Sequence, residues 1–250
     1  MQYRKQGRGL SATRRLVLSA VFAALAFVVM LTFRFNVQFL TFDLKDAVIT
    51  VAGLLLGPVT ALSVSVLVAV LEFITVSDTG IYGLIMNMAS SVTFSVVASV
   101  AYKYRKRLSG AIMALSGAVV SLVAVMLLLN LVVTPLFMGA TRGDVVAMIP
   151  TLLLPFNVVK ALTNASLVMV FYKPISRAMQ AAGLLPRSAP AGSEDMTESP
   201  AESPAESPAH SPAKSRRWVS FVMPLIGLLL LAAAILFFRL VLKGQFELFR

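Results

Sequence analysis

The sequence predicts an all-α membrane protein: a bundle of six membrane helices, then a disordered linker and a seventh membrane helix. The composition is 58% hydrophobic and only 13% charged, with a mean hydropathy of +0.86, unlike that of soluble globular domains. Short basic clusters flank the apolar stretches, as is typical of cytoplasmic helix ends. Uncharged stretches long enough to cross a hydrocarbon core of roughly 30 Å recur along the chain, at residues 16–33, 47–71, 79–102, 108–141 and 218–238.

The first three predicted helices occupy residues 16–34, 46–56 and 58–75. The apolar stretch after residue 46 is too long for one span, and Gly57-Pro58 divides it, because proline lacks a backbone donor and disfavours helix in the residue before it. The short piece rises only about 16 Å. It therefore crosses a thinned region, recruits flanking residues or re-enters the membrane.

The other three helices of the bundle are predicted at residues 79–102, 108–137 and 149–172. The basic run KYRKR follows the first of these, YKPISR follows the last, and Arg14 and Arg15 precede the first helix of the chain. Positively charged ends stay in the cytoplasm. We therefore expect a multi-pass protein of the cell membrane with a cytoplasmic N-terminus, and with the FLTF and TRGD loops outside.

After Gly183 the chain changes to a tract built on a repeated Glu-Ser-Pro-Ala unit. Such a composition cannot bury apolar surface and predicts disorder. The expected domains are a six-helix membrane domain at residues 1–183, a disordered linker at 184–217 and a membrane anchor at 218–250. The net charge of +11 lies largely in basic clusters beside apolar runs, which orient the protein in lipid and do not indicate nucleic-acid binding.

Lys160 is the one charged residue in the predicted sixth helix. A charge near mid-membrane is costly, so such residues face a cavity or a partner. Asn157 lies three positions earlier, on the same helical face. The two residues predict a polar patch that contacts a ligand. Alternatively, Lys160 pairs with a carboxylate for assembly or extends to the membrane interface.

Three further polar residues lie in otherwise apolar helices. Asn87 and Asn130 offer both a donor and an acceptor, and each either contacts a ligand or links helices. Glu72, near the outer end of the third helix, either contacts a ligand or faces lipid headgroups.

The aromatic loop before the second helix is a candidate cover for a ligand. Phe39, Leu40, Thr41 and Phe42 either cap an aromatic ligand or form an interfacial aromatic belt. The charges that follow, in the sequence DLKD, are expected to be loop charges and a helix N-cap.

Several kinds of chemistry have no residues to support them. There is no cysteine, so disulfides and thiolate metal sites are excluded. There is no GxxxxGK[ST] phosphate loop, so ATP hydrolysis by this chain is not expected. The one histidine, His210, lies in the predicted linker. We therefore expect neither an enzyme nor a bound cofactor.

Four segments resemble one family of membrane proteins. They are the alanine-rich first helix, FDLKDAVITVAGLLLGPVTAL, TGIYGLIMNMASS and LLPFNVVKALTNASLVMVFYKPIS, with its Pro155, Phe156, Asn157 and Lys160. From about residue 12 to residue 180, the chain resembles the S component of energy-coupling factor (ECF) vitamin transporters, and is most similar to the riboflavin-binding RibU group.

The resemblance implies a vitamin site near the outer face, enclosed by six helices. Asn157, Lys160 and Asn130 would bind the flavin or its ribityl chain, and residues 40–42 would cover the ring. Ala20 and Ala24, a small-xxx-small pair, would dock on a membrane coupling protein, and two separate ATP-binding subunits would drive transport.

Three functional hypotheses remain from the sequence. The first is binding of riboflavin or FMN by an S component. The second keeps the fold but changes the vitamin to thiamine, biotin or folate. The third is a non-transport membrane assembly protein whose Ser-Pro tail recruits partners.

Overall fold

The computed structural model describes residues 10–105 and 108–185. The predicted linker from residue 186 and the predicted seventh helix at 218–238 lie outside the described residues. The described chain is almost entirely helical, with two short strands and one π-helical segment. In order, its elements are α1 (Ala12–Thr32), β1 (Phe35–Val37), β2 (Leu40–Phe42), α2 (Lys45–Leu56), α3 (Pro58–Thr75), α4 (Gly80–Tyr104), α5 (Leu108–Met138), α6 (Arg142–Met148), the π-helical segment Ile149–Leu153 and α7 (Leu154–Ala181).

Five helical stretches of the described residues are long and apolar enough to cross a membrane. Large apolar side chains on their outer faces, such as Leu16, Val120 and Leu128, are well exposed in the isolated chain, as lipid-facing positions are. The stretches are Ala12–Thr32, Pro58–Thr75, Gly80–Tyr104, Ser109–Met138 and Arg142–Ala181.

The second predicted helix, α2, has a different role because it lies inside the bundle. It contacts α1, α3, α4 and α7, and nine of its twelve residues are buried. The predicted division at Gly57-Pro58 is confirmed. Gly57 adopts φ 108°, a conformation that glycine alone adopts readily, and Pro58 begins α3, where its missing N–H costs nothing.

Close helix packing around α2 depends on Gly53. A Cβ atom at this position would lie 2.1 Å from Oγ of Ser99 on α4 and 2.7 Å from Cβ of Ala61 on α3. Small residues let membrane helices approach closely where no hydrophobic driving force exists between them. Gly53 therefore sets the distance between three helices.

The aromatic segment predicted as a loop forms a two-stranded antiparallel hairpin. Phe35 pairs with Phe42 and Val37 pairs with Leu40, and the turn between them places Gln38 at φ 54°. Both strands are three residues long, too short for alternation alone to identify. The hairpin packs its buried side chains against Val145, Leu152, Leu153, Phe156 and Val159.

The last helical stretch begins earlier than the predicted residue 149. Thr141 and Asp144 form a capping box at the start of α6, in which Thr141 N donates to Asp144 Oδ2 at 2.9 Å. Pro150 lies in the π-helical segment between α6 and α7. Proline removes a helical donor, and π-helical turns commonly accompany such interruptions.

Candidate functional site

A cavity opens at the end of the bundle that carries the hairpin. It lies between the hairpin, the first turns of α4, the last turns of α5 and the first turns of α7, and its space, including the open mouth, is about 640 Å³. Its lining is mostly apolar with several separate polar groups. The lining residues are Phe39, Leu40, Thr41, Thr79, Tyr82, Gly83, Met86, Asn87, Ser90, Met126, Asn130, Val133, Thr134, Phe137, Phe156, Asn157 and Lys160.

The structure brings most of the predicted ligand-contact residues together in this lining. Phe42 and Glu72 are the exceptions. Phe42 lies behind the wall, where its ring stacks on Phe35 with centroids 4.8 Å apart, and Glu72 is buried beneath Asn87. The seven predicted residues in the lining are Phe39, Leu40, Thr41, Asn87, Asn130, Asn157 and Lys160.

Sequence reasoning missed the aromatic and methionine part of the lining. Tyr82 of α4 and Phe137 of α5 face each other with ring centroids 6.0 Å apart, and Met86 and Met126 lie deeper. Residues three and four positions apart share a helical face. Steps of that size from Asn130 reach Met126 and Phe137, which sequence reasoning could have identified. Tyr82 and Met86 lie five and one positions from Asn87, so helical spacing does not single them out.

Two lining asparagines donate to the backbone of their own helical turns. Asn157 Nδ2 donates to the Leu153 carbonyl at 2.7 Å. Asn130 Nδ2 donates to the Met126 carbonyl at 2.7 Å, and its Oδ1 accepts from Thr134 Oγ1 at 2.9 Å. Their amide orientations are therefore set by the protein before any ligand arrives.

A cluster of buried charges lies directly behind the cavity wall. Asp43 Oδ2 lies 2.9 Å from Nζ of Lys160 and 2.8 Å from Nζ of Lys45. Lys45 also lies 3.0 Å from Oε2 of Glu72, a contact with the distance of an ion pair but not the angles of a hydrogen bond. Lys160 additionally donates to the Thr41 carbonyl at 3.2 Å.

The expectation that Asp43, Lys45 and Asp46 are loop charges and a helix N-cap is wrong. All three side chains are almost completely buried, and the N-cap position belongs to Leu44. The physical reason is the hairpin, which turns the chain inward so that α2 starts inside the bundle. There the carboxylate of Asp46 accepts from Ser91 Oγ at 2.5 Å and from Ser90 Oγ at 3.2 Å.

Asn164 ties α7 to the start of α2. Its Oδ1 accepts from the Ala47 amide at 2.8 Å, and its Nδ2 donates to the Asp43 carbonyl at 3.3 Å. Helix starts leave backbone donors without partners, and here a side chain from a distant helix satisfies one of them. Asn164 was not predicted as a polar contact.

Electrostatics keep Asp43 ionised despite its burial. Burial raises the pKa of this carboxyl, but the ammonium groups of Lys160 and Lys45 outweigh that effect and hold the pKa well below its usual value. A buried carboxylate is tolerated when it is paired and hydrogen-bonded. Removal of one member of such a cluster leaves an uncompensated buried charge.

Lys160 pairs with a carboxylate, as one alternative predicted, and it also lines the cavity. Its contact with a ligand stays a prediction. For Glu72, the interpretation as a residue facing headgroups is wrong, because its side chain is 2% exposed and lies against Lys45.

A family model described as "ECF transporter, substrate-specific component" matches residues 14–172. The chain belongs to this family. The fold of this S component is also similar to that of a solved chain, described as "Structure and mechanism of the S component of a bacterial ECF transporter". The two structures superpose with a TM-score of 0.58 and are 23% identical in sequence. The match covers 67% of this chain and 98% of the solved one. No curated protein matches the sequence.

As an S component, the chain is a multi-pass membrane protein and the substrate-binding subunit of an ECF importer. S components bind a vitamin and work with a coupling protein and with separate ATPase subunits, which hydrolyse the ATP. The expectation that this chain is not itself an enzyme is confirmed.

The S component presents the two predicted docking alanines on the outer face of α1. Ala20 and Ala24 are exposed, whereas Leu18, Phe22 and Ala26 on the other face of the helix are buried. Their contact with a coupling protein stays a prediction.

Proposed function

We propose that this S component binds riboflavin from the outside and delivers it inward. The observation that supports this best is the lining of the cavity, which combines aromatic and methionine walls with a few placed amide, hydroxyl and ammonium groups. Sites for flat ring ligands are mostly apolar, with a small number of polar groups that orient the ligand. Riboflavin carries a flat tricyclic ring and a polyhydroxylated chain, so it needs both kinds of surface.

The charges around the cavity favour an uncharged ligand. Among the described residues, neither aspartate nor glutamate lines the cavity, so nothing there complements the positive charge of thiamine. The lining ammonium of Lys160 is already paired with Asp43 at 2.9 Å. It therefore favours neutral riboflavin over FMN, biotin or folate, whose phosphate or carboxylates would need a cation of their own.

Hydrogen-bonding capacity in the lining suits the polar edge of a flavin. That edge carries two carbonyl oxygens on either side of an imide N–H. Lys160 has three N–H groups and uses two of them on Asp43 and Thr41, which leaves one for a carbonyl. The oxygen of Asn157 is available to accept from an N–H or a hydroxyl, because the amide nitrogen donates to Leu153.

We also propose that the cavity opens to the outside. Arg14, Arg15 and Lys173 lie at the opposite end of the bundle from the hairpin, and positively charged ends favour the cytoplasm. In the proposed importer, the α1 face with Ala20 and Ala24 contacts the coupling protein, and residues 218–250 form an additional anchor. The linker that joins it begins after Leu185, because Leu184 and Leu185 pack in the core of the bundle.

The test is a titration of the purified chain in detergent with riboflavin, followed by quenching of flavin fluorescence. We expect saturable binding that weakens at least about tenfold in Asn157→Ala and in Lys160→Met, since each loses a hydrogen bond made in a site shielded from water. Lys103→Met changes an exposed lysine at the other end of α4 and should bind like the unmodified chain.

A thermal-shift panel of vitamins tests the identity of the substrate separately from the assignment to the S-component family. Stabilisation by thiamine, biotin or folate, together with no riboflavin binding, would overturn the riboflavin proposal and leave the S-component assignment unchanged. FMN belongs in the panel, and we expect it to bind more weakly than riboflavin.

A further inference from the structure

The orientation of the Asn87 amide is determined by a neighbour that does not reach the cavity. Asn87 lines the cavity, and its Nδ2 lies 2.9 Å from Oε1 of Glu72. A carboxylate has no hydrogen to donate and only accepts. The amide nitrogen must therefore face Glu72 and use one of its two N–H groups there, and Oδ1 is the acceptor of the amide that remains for a ligand.

Glu72 is itself held in place. Its side chain is 2% exposed, and its second oxygen lies 3.0 Å from Nζ of Lys45. Lys45 is 1% exposed and lies 2.8 Å from Asp43. Buried ion pairs of this kind have few alternative arrangements, because any displaced charge would lose its partner in a low-dielectric interior. The chain Asp43–Lys45–Glu72 therefore fixes the acceptor that Asn87 uses.

We propose that Glu72 is a specificity-determining positioning residue, which holds Asn87 with its amide oxygen toward the substrate. This inference rests on the proposed function, in which the cavity is the substrate site. The cavity then presents acceptors from α4 and α7, Asn87 Oδ1 and Asn157 Oδ1, and it selects ligands with N–H or O–H groups at these places. A ligand that offers only acceptors there leaves buried oxygens unpaired, which costs far more than a lost contact.

Replacement of Glu72 by glutamine should reverse the polarity of Asn87. Lys45 would attract the oxygen of the new amide and repel its NH₂ group, because an ammonium only donates. The NH₂ group of glutamine would then face Asn87. Asn87 would have to offer its oxygen to that group and turn its own nitrogen toward the ligand.

A double-mutant cycle on the full chain tests this, with riboflavin as the probe and fluorescence quenching as the readout. We expect Glu72→Gln and Asn87→Ala each to weaken binding about tenfold. We expect the double variant to bind no more weakly than either single variant, because both changes remove the same acceptor. The matched cycle pairs Glu72→Gln with Asn130→Ala, a lining asparagine that does not contact Glu72, and there the two effects should add.

The unfolding temperature of each variant is measured alongside. If Glu72 had a purely structural role, Glu72→Gln would lower the unfolding temperature. It would then weaken riboflavin binding by the same factor when combined with Asn87→Ala as when combined with Asn130→Ala. Additive effects in the Glu72–Asn87 cycle, or unchanged affinity in Glu72→Gln, would overturn the inference while riboflavin binding stands. If the unmodified chain does not bind riboflavin, the riboflavin assignment fails instead, and the cycle is measured with the vitamin that binds.

Discussion

Asp43 and Lys160 lie 117 positions apart in the chain, yet their charged atoms are 2.9 Å apart in the interior of the bundle. This contact joins the residues just before α2 to the first turns of α7. The same lysine donates to the Thr41 carbonyl of the hairpin at 3.2 Å. One ammonium group thus connects the hairpin, the central helix and the cavity wall.

We expect Asp43→Asn to be among the most destabilising single changes in the chain. It would leave the ammonium groups of Lys45 and Lys160 without their shared carboxylate, and loss of one partner of a buried ion pair costs about 3–5 kcal/mol. Denaturation of the purified protein in detergent measures the change in the free energy of unfolding.

Asp78→Asn is the matched control for that change. Asp78 is 79% exposed and lies 3.6 Å from Arg34, and exposed ion pairs contribute less than about 1 kcal/mol. Equal effects of the two substitutions would contradict the role assigned to the buried cluster.

Gly53→Ala should destabilise the bundle by about 1–3 kcal/mol, the usual cost of overpacking. The new methyl group would lie 2.7 Å from Cβ of Ala61, which cannot rotate away, so α2 and α3 would have to separate. Gly117→Ala is the control, because a Cβ at this exposed position of α5 meets nothing within 4 Å. Alanine favours helix over glycine by about 1 kcal/mol, so the control should unfold at the same temperature as the unmodified protein or higher.

Tyr82→Ala should weaken riboflavin binding about tenfold, because the ring forms one aromatic wall of the cavity opposite Phe137, and contact with a flat ring ligand buries its surface. Tyr104→Ala removes a tyrosine at the other end of α4 that is 80% exposed and should leave the dissociation constant unchanged. Fluorescence titration measures the dissociation constant of riboflavin for both variants, and similar constants would show that the ligand does not contact Tyr82.

A chain that ends after Leu185 should still bind riboflavin, since the lining residues in the described part of the chain lie between Phe39 and Lys160. A chain that ends after Ala181 should unfold at a lower temperature. It lacks Leu185, which packs in the core with Leu18 and Phe22, and the Gly183 carbonyl that accepts from Arg14. Loss of binding in the longer of these two truncated chains would favour the hypothesis of an assembly protein that acts through its tail.

The sequence by itself determined the helical membrane fold, the division at Gly57-Pro58 and most polar residues of the cavity. Apolar length, proline geometry and isolated polar groups are local signals, so each can be identified without knowledge of the chain's path. Phe137 was accessible to the same reasoning, because it lies seven positions from Asn130 and shares its helical face. Tyr82 was not, because it lies five positions from Asn87 and no local spacing joins the two.

Only the tertiary structure decided where the charges lie. The DLKD segment resembles an ordinary loop in the sequence, because its partners are distant: Asp46 pairs with Ser91, 45 positions away, and Asp43 pairs with Lys160. A buried charge in an apolar interior needs a partner, and here the partners belong to other helices. Only the path of the chain determines which of these side chains come into contact. The orientation of Asn87 depends on the same network, which is why the sequence identified the amide but not which of its ends faces the ligand.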